Sequence, residues 1–468
     1  MASHGVSLLI KARFFMSKPL PAGLSNFAKL IKNNYLFVDK SLFIKTLFDD
    51  TSQAILITRP RRWGKTLNMS MLHHFLSPAV VGESTQGLFD HCQLYRQFPD
   101  WVKGHQGQYP VIYLTFKDVK SDNFEKALTL IREVIKALYM EHAYLKQSEV
   151  LDADDIALYR TYLTGNVDQG SLENALLILS KLLHKHHGKK PYVLIDEYDT
   201  PLTAAYNYYL DEMTYFIKGF LGSVMKDNPY LEKGVMTGIT RISSSSMLSD
   251  LNNIDIYTTL EDEIYKECFG FTEAELDKLF SEIDFALDKT HIKNWYNGYN
   301  VEDVTLYNPY SIIQCLKHKG KIGPYWIETA KDHLLKTALL HASKNAKEQF
   351  QSLISPESIA PVLPVIIDER VRFDALDKDD TALWSLLLAS GYVKYLEKEK
   401  SPSGYLCRIA IPNKEVRWTY VSIFSKWLEE RLGDDYQSFV HHLVAGDVEA
   451  FAKNLNNYLL RHTSFLGL

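Results

Sequence analysis

The sequence predicts an α/β protein: a parallel sheet covered by helices, followed by a helical lid and a winged-helix-like C-terminal module. Three observations predict it. Short, continuously apolar runs (AILIT, PVIYLTF, YVLID, KGVMTGIT) recur through the first half of the chain and end in polar turns, as strands buried on both faces require. Segments with helical apolar spacing separate them, the alternation a parallel sheet needs for its crossovers. After residue 270 helix-start signals dominate, until a helix, strand, strand, helix order appears near the end.

In residues 24–49, the spacing of Phe27, Leu30 and Ile31, then of Leu42, Ile44, Leu47 and Phe48, predicts two short helices flanking an extended YLFVD. Residues 54–58 form the first strand. Residues 66–76 carry Leu67, Met71, Leu72 and Phe75 on one helical side, so RPRRWGKT is a loop between strand and helix. Strands follow at 110–116, 191–199 and 233–240, and an α/β domain over residues 19–265 results. Thr272 with Glu275 makes a capping box for the first lid helix, with Phe271 stapled onto Leu276. The Asn297-Gly298 pair predicts a tight turn with positive φ, and Tyr307-Asn308-Pro309 turns the chain into another helix. Helices are expected to dominate to Ser390, giving a lid over 266–375. A helix stopped at Gly391, two strands joined by a Lys/Pro/Ser/Gly turn, and a helix opening near Asn413 predict the winged-helix-like module over 376–432. Residues 1–18 read as a non-folding extension, with Met16 as an alternative start, and 433–468 as a linker remnant.

The chain has 468 residues, 46% hydrophobic and 23% charged, an ordinary globular composition large enough for two or three domains. A formal charge of −5 gives no global attraction to nucleic acid or to an anionic membrane. Its four cysteines, Cys92, Cys268, Cys315 and Cys407, are far apart and form no C-x-x-C pair, which disfavours zinc and disulfides and fits a reducing cytoplasm. No apolar run approaches the roughly 18 residues a membrane span needs.

A phosphate cradle needs backbone N–H groups at a helix N-terminus, a lysine for the phosphates and a hydroxyl for Mg²⁺. Gly64, Lys65 and Thr66 supply that ending, although Arg59 stands where a first glycine is usual. Alone, the tripeptide fits a basic surface turn equally well. YVLIDE adds what a nucleotide site requires, a second strand ending in acids: Asp196 is placed for the metal, and Glu197 for general base. Thr237, Thr240 and Arg241, where the KGVMTGIT strand ends, are candidates to sense the γ-phosphate at the strands' carboxyl ends; a surface arginine opening a loop is the alternative for Arg241. Asp199 fits a turn residue better than a supporting acid. Arg59, Arg61 and Arg62 suit phosphate oxygens and, with Trp63, nucleic acid more weakly; exposure to solvent beside the nucleotide is expected for them. With Leu67, which follows Thr66, these residues complete the candidate nucleotide-binding set.

Together NNYLFVDKS, ITRPRRWGKTLNMSML, YVLIDEYDTPL, TGITRIS, ECFGFTEAEL, WYNGYN, YNPYSI and LLLASGYV, in this order, resemble the bacterial AAA-ATPase-like family. Its members are P-loop ATPases that typically carry a C-terminal PD-(D/E)xK nuclease-like domain. The resemblance covers roughly residues 19–450. The family loop commonly reads R-P-R-R-[FW]-G-K-T, so Arg59 matches its form. It implies phosphate binding by Lys65 and Thr66, metal and water roles for Asp196 and Glu197, and ATP and Mg²⁺ as cofactors. After Asp447 no strand pair can supply a nuclease site, so no nuclease activity is expected. The leading expectation is an ATP-binding switch with Mg²⁺-dependent hydrolysis. The second is a module that binds nucleic acid or a protein partner around 385–420, motivated by Lys394, Lys398 and Lys400 and opposed by Glu397 and Glu399.

Overall fold

The apolar runs assemble into one five-stranded parallel sheet flanked by helices. The computed structural model describes residues 18–242, 253–326, 338–339, 342–354, 362–376, 378–420, 447 and 449–450; the expected extension at 1–18 and linker remnant at 433–468 lie almost wholly outside them. β1 (Ala54–Thr58), β2 (Val111–Thr115), β3 (Tyr192–Asp196) and β4 (Lys233–Gly238) are the four expected strands. β5 (Ile254–Tyr257) is a fifth that a search for apolar runs passes over. The order is β2-β3-β4-β1-β5, with every neighbouring pair parallel. β1, β3 and β4 are buried at every position, which is why they read as continuous apolar stretches. β5 is an edge strand with Ile254 buried and Asp255 exposed, so its IDIY sequence alternates instead.

Register fixes what meets at the carboxyl end of the sheet. Thr58 lies beside Gly238, Ile57 beside Thr237, and Thr115 beside Asp196. The loops leaving β1, β3 and β4 therefore start side by side, where α/β sheets gather their ligands.

The leading segment forms helices Phe27–Lys32 and Leu42–Asp49 around the expected extended stretch. It is pinned to the Lys65–Leu76 helix by the Phe27 N–H, which donates to the Ser70 hydroxyl at 3.0 Å.

Helix Glu273–Ser281 opens the lid with a complete Thr272/Glu275 capping box. Helices Lys289–Tyr296 and Pro309–Lys317 follow, capped by Asp288 and Asn308. They share a separate apolar cluster that includes Phe271, Leu276, Ile292, Tyr296, Ile312 and Leu316. The Asn297-Gly298 pair departs from expectation. Only Gly298 has positive φ, at 114°, and Asn297 ends a helix. The hairpin of β6 (Tyr299–Val301) and β7 (Val304–Leu306) reverses at Glu302, with φ of 51°. Close approach explains the glycine, since a Cβ there would stand 2.4 Å from the Pro412 carbonyl oxygen.

Helices do not dominate to Ser390. β8 (Leu363–Ile367) interrupts them and pairs antiparallel with β10 (Gly404–Ala410), itself paired with β9 (Lys394–Ser401). The module is thus a three-stranded antiparallel sheet, order β8-β10-β9, joined to helix Asp380–Ala389. Pro364 is tolerated because β8 is an edge, and that proline masks the strand in the sequence. The basic run that motivated nucleic-acid binding is largely engaged within the chain: Lys398 pairs with Glu302 at 2.7 Å and Lys400 with Glu261 at 3.4 Å. Among the described residues no helix is long and apolar enough to cross a membrane.

Candidate functional site: a cleft at a helix N-terminus

The loop between β1 and the Lys65–Leu76 helix turns through two left-handed residues, Arg62 at φ 66° and Gly64 at φ 84°. Gly64 occupies the N-cap position, and no side chain caps the helix. Its first N–H groups, which have no intrahelical partner, and the positive end of its dipole face a cleft of about 410 Å³. Arg62, Trp63, Gly64, Lys65, Thr66 and Leu67 line one side, together with Glu197. Leu24, Leu36 and Phe37 of the leading segment, with Phe271, Tyr310 and Ile313 of the lid, form an apolar wall.

Lys65 is buried, and its ammonium donates to the carbonyls of Arg59 at 3.0 Å and Pro60 at 3.1 Å. The Thr66 hydroxyl donates to Asp196 Oδ2 at 2.7 Å, and the Thr237 hydroxyl to Asp196 Oδ1 at 2.6 Å. Burial raises the Asp196 carboxyl above its ordinary range, as does the Glu197 charge; the two hydroxyls and Lys65 act the other way. Glu197 takes a left-handed φ of 57°, so the chain kinks directly after Asp196. Glu197 lines the cleft, its carboxylate accepting from the Thr200 hydroxyl at 3.4 Å, while Asp196 is buried against Thr66.

The arginines are not the exposed set expected. Arg59 is wholly buried and forms an ion pair with Asp262, also buried. Its guanidinium further donates to the Thr58 carbonyl at 2.8 Å, and it does not line the cleft. A guanidinium this deep must be paired, and Asp262, brought by the segment after β5, is its partner. Arg62 stacks on Tyr310, 3.7 Å from the ring centroid. Arg61 is half-buried, and its carbonyl accepts from Asn308 at 3.3 Å. Trp63 is buried edge-on to Tyr299 and lies against Gly270, where a Cβ would come within 3.2 Å of the indole. Arg241 lies outside the cleft lining and pairs with Glu369 at 2.6 Å, beside a two-residue parallel pairing of Arg241–Ile242 with Arg370–Val371.

Of the residues the sequence assigns to one site, Lys65, Thr66 and Glu197 line the cleft, while Asp196 and Thr237 are buried outside its lining and joined to it through the Thr66–Asp196–Thr237 hydrogen bonds. Sequence reasoning passed over Asp262, Tyr310 and Lys40, which come from three other segments. Lys40 and Tyr310 lie within the quoted NNYLFVDKS and YNPYSI, whereas no motif contains Asp262; the Lys40 ammonium meets Glu275 at 2.6 Å, the carboxylate that completes the capping box.

Among the described residues no group of three or more His, Cys, Asp or Glu could hold a metal ion. One carboxylate and one hydroxyl are an all-oxygen set suited to Mg²⁺, but too few to hold it without oxygens from a bound phosphate. The residues present fit a cation that arrives with nucleotide.

A family model described as predicted AAA-ATPase matches residues 21–248. A protein of Azotobacter chroococcum mcd 1, described as an uncharacterized protein in the vnfD 5′ region, is 26% identical over 407 residues, covering 86% of this chain and 68% of that protein. Among solved structures, the Walker-type ATPase paby2304 of Pyrococcus abyssi is similar with a TM-score of 0.42 and 11% identity, over 82% of this chain and 95% of that one.

Proposed function

We propose that the protein binds ATP in this cleft and hydrolyses it with Mg²⁺, and that nucleotide state shifts the lid and the C-terminal module relative to the sheet. The observation that carries the reading is the Thr66–Asp196 hydrogen bond at an uncapped helix N-terminus. A hydroxyl and a carboxylate from separate loops converge there beside free N–H groups, an arrangement suited to a phosphate with its cation. The match to predicted AAA-ATPases over residues 21–248 supports it.

In this reading the N–H groups of Gly64, Lys65, Thr66 and Leu67 hold the β- and γ-phosphates, with the Lys65 ammonium moving onto them from the carbonyls it now contacts. Thr66 and Asp196 hold Mg²⁺, which neutralises phosphate charge when bound. Glu197 orients the attacking water and accepts its proton. The apolar wall from Leu24 to Ile313 receives the base, and Arg62 stacked on Tyr310 closes the rim. Arg241, paired with Glu369, links the end of β4 to the C-terminal module, whose helix and three strands we read as winged-helix-like.

Purified protein tests this. Lys65→Ala is expected to abolish ATP binding, and Glu197→Gln to preserve binding while turnover falls roughly 100-fold or more. Wild-type turnover in the Glu197 variant removes the general-base assignment; absence of ATP binding by the unaltered protein removes the reading.

A further inference from the structure

Asp199 directly precedes helix Thr200–Ala205, the position where an aspartate usually caps the helix with its own carboxylate. It does not do so: its backbone is already helical (φ −88°, ψ −6°) and its side chain makes no bond to that helix. The carboxylate turns to another loop. Oδ2 accepts from the Ile239 N–H at 2.8 Å, the Thr240 N–H at 2.9 Å and the Thr240 hydroxyl at 3.0 Å. Its neighbour Tyr198 acts in parallel, donating to the Thr240 carbonyl at 2.8 Å and accepting from the Ile242 N–H at 3.1 Å.

Two loops are thereby joined. One leaves β3 with Glu197 in its left-handed kink; the other leaves β4 between Gly238 and Arg241. The seam is tight, since a Cβ on Gly238 would meet the Tyr198 ring at 2.7 Å and Asp199 Oδ1 at 2.9 Å. Asp199 is only 2% exposed, and Oδ1 is buried without a hydrogen-bond partner among the described residues. Burial, then the Glu197 charge, raises its carboxyl. A half-satisfied buried carboxylate costs stability, so local stability does not account for it, whereas fixing the relative position of two loops does.

We propose that Asp199 is a positioning residue for nucleotide hydrolysis: its carboxylate clamps the Ile239–Thr240 turn to the loop of Glu197, so that Glu197, Asp196 and Thr237 keep one mutual geometry through turnover. This rests on the ATPase reading above.

The test compares the full chain with Asp199→Ala, Asp199→Asn and Tyr198→Phe, measuring ATP affinity, kcat, and amide hydrogen exchange at Ile239 and Thr240. With alanine, ATP affinity stays within about threefold while kcat falls roughly 10- to 100-fold, and exchange at the two amides rises. Asparagine restores most of kcat, because its amide oxygen still accepts both N–H groups. Tyr198→Phe, which loses one hydroxyl, gives an intermediate kcat and decides the matter if the alanine variant fails to fold. An unchanged kcat in Asp199→Ala or Tyr198→Phe, in a chain whose wild type turns over, overturns this inference alone. Parallel losses of affinity and kcat that asparagine does not rescue overturn it as well. A wild type that binds no ATP overturns the parent reading, and this one with it.

Discussion

The Thr66 hydroxyl donates to the Asp196 carboxylate at 2.7 Å across 130 positions of sequence, joining the loop after β1 to the end of β3. The bond holds both groups of the proposed metal site in place before any ligand arrives. Thr66→Ala is expected to weaken Mg²⁺-dependent ATP binding roughly tenfold or more, the worth of one hydrogen bond to a charged group, with little effect on binding in chelator. Calorimetric titration with and without Mg²⁺ checks it, and equal losses in both would remove Thr66 from the metal site.

Asp196 should show a conflict between stability and activity. Its carboxyl is raised by burial, so between its unfolded value of 3.8 and its folded one the native state holds the proton more tightly. Stability is then lost as pH rises through that window. Asp196→Asn removes the loss: melting scans from pH 3 to 8 should find the variant more stable than wild type at neutral pH, converging below about pH 3.8, while Mg²⁺-dependent turnover disappears.

Arg59 and Arg62, three positions apart, should separate by phenotype. Arg59→Ala leaves Asp262 as an unpaired buried charge and is expected to destabilise the fold by about 3–5 kcal/mol. Arg62→Ala removes a cation stacked on Tyr310 at the cleft rim and should change stability by about 1 kcal/mol or less, while weakening ATP binding. Thermal melts paired with nucleotide titrations distinguish the two. Reversal of the pattern would return Arg59 to the ligand set.

Glu415 places a pH-dependent joint between lid and module. Its carboxylate accepts from the Ser311 hydroxyl at 2.7 Å and the Trp326 N–H at 2.8 Å, and burial pushes it up to about 7. Its protonated form is favoured by the fold, so stability is complete below about pH 4.5 and declines as pH rises through 7, by on the order of 3 kcal/mol. Glu415→Gln should flatten the midpoint-versus-pH curve between 5 and 8. A variant curve parallel to wild type would deny Glu415 that role.

Much of this arrangement was legible where the signal is local. AILIT and YVLID are buried on both faces and therefore apolar throughout, and Thr272 with Glu275 fulfils a spacing rule within four residues. β5 and β8 were missed because edge strands need only one buried face and, at Pro364, tolerate a residue that argues against a strand. The grouping of Lys65, Thr66, Asp196 and Glu197 was legible because their chemistry demands adjacency wherever the chain carries them. Nothing near Arg59 announces Asp262, since that pairing exists only once the segment after β5 has crossed back under the loop. Asp199 read as a turn residue for a related reason: its local signal, an aspartate before a helix, points to a bond it does not make.

Much of the grip on the loop of residues 59–64 comes from beyond the family match. Arg59 meets Asp262, Arg61 meets Asn308, Arg62 meets Tyr310, Trp63 meets Gly270, and Pro60 lies 3.0 Å from where a Cβ on Gly391 would stand. Every one of those partners follows residue 248, where the match ends. A fragment cut there would bare the β1 edge that β5 covers, inviting strand-to-strand aggregation, and strand a guanidinium in the core. The boundary drawn by similarity is therefore not a folding boundary, and the smallest piece able to present this loop correctly extends at least through Gly391.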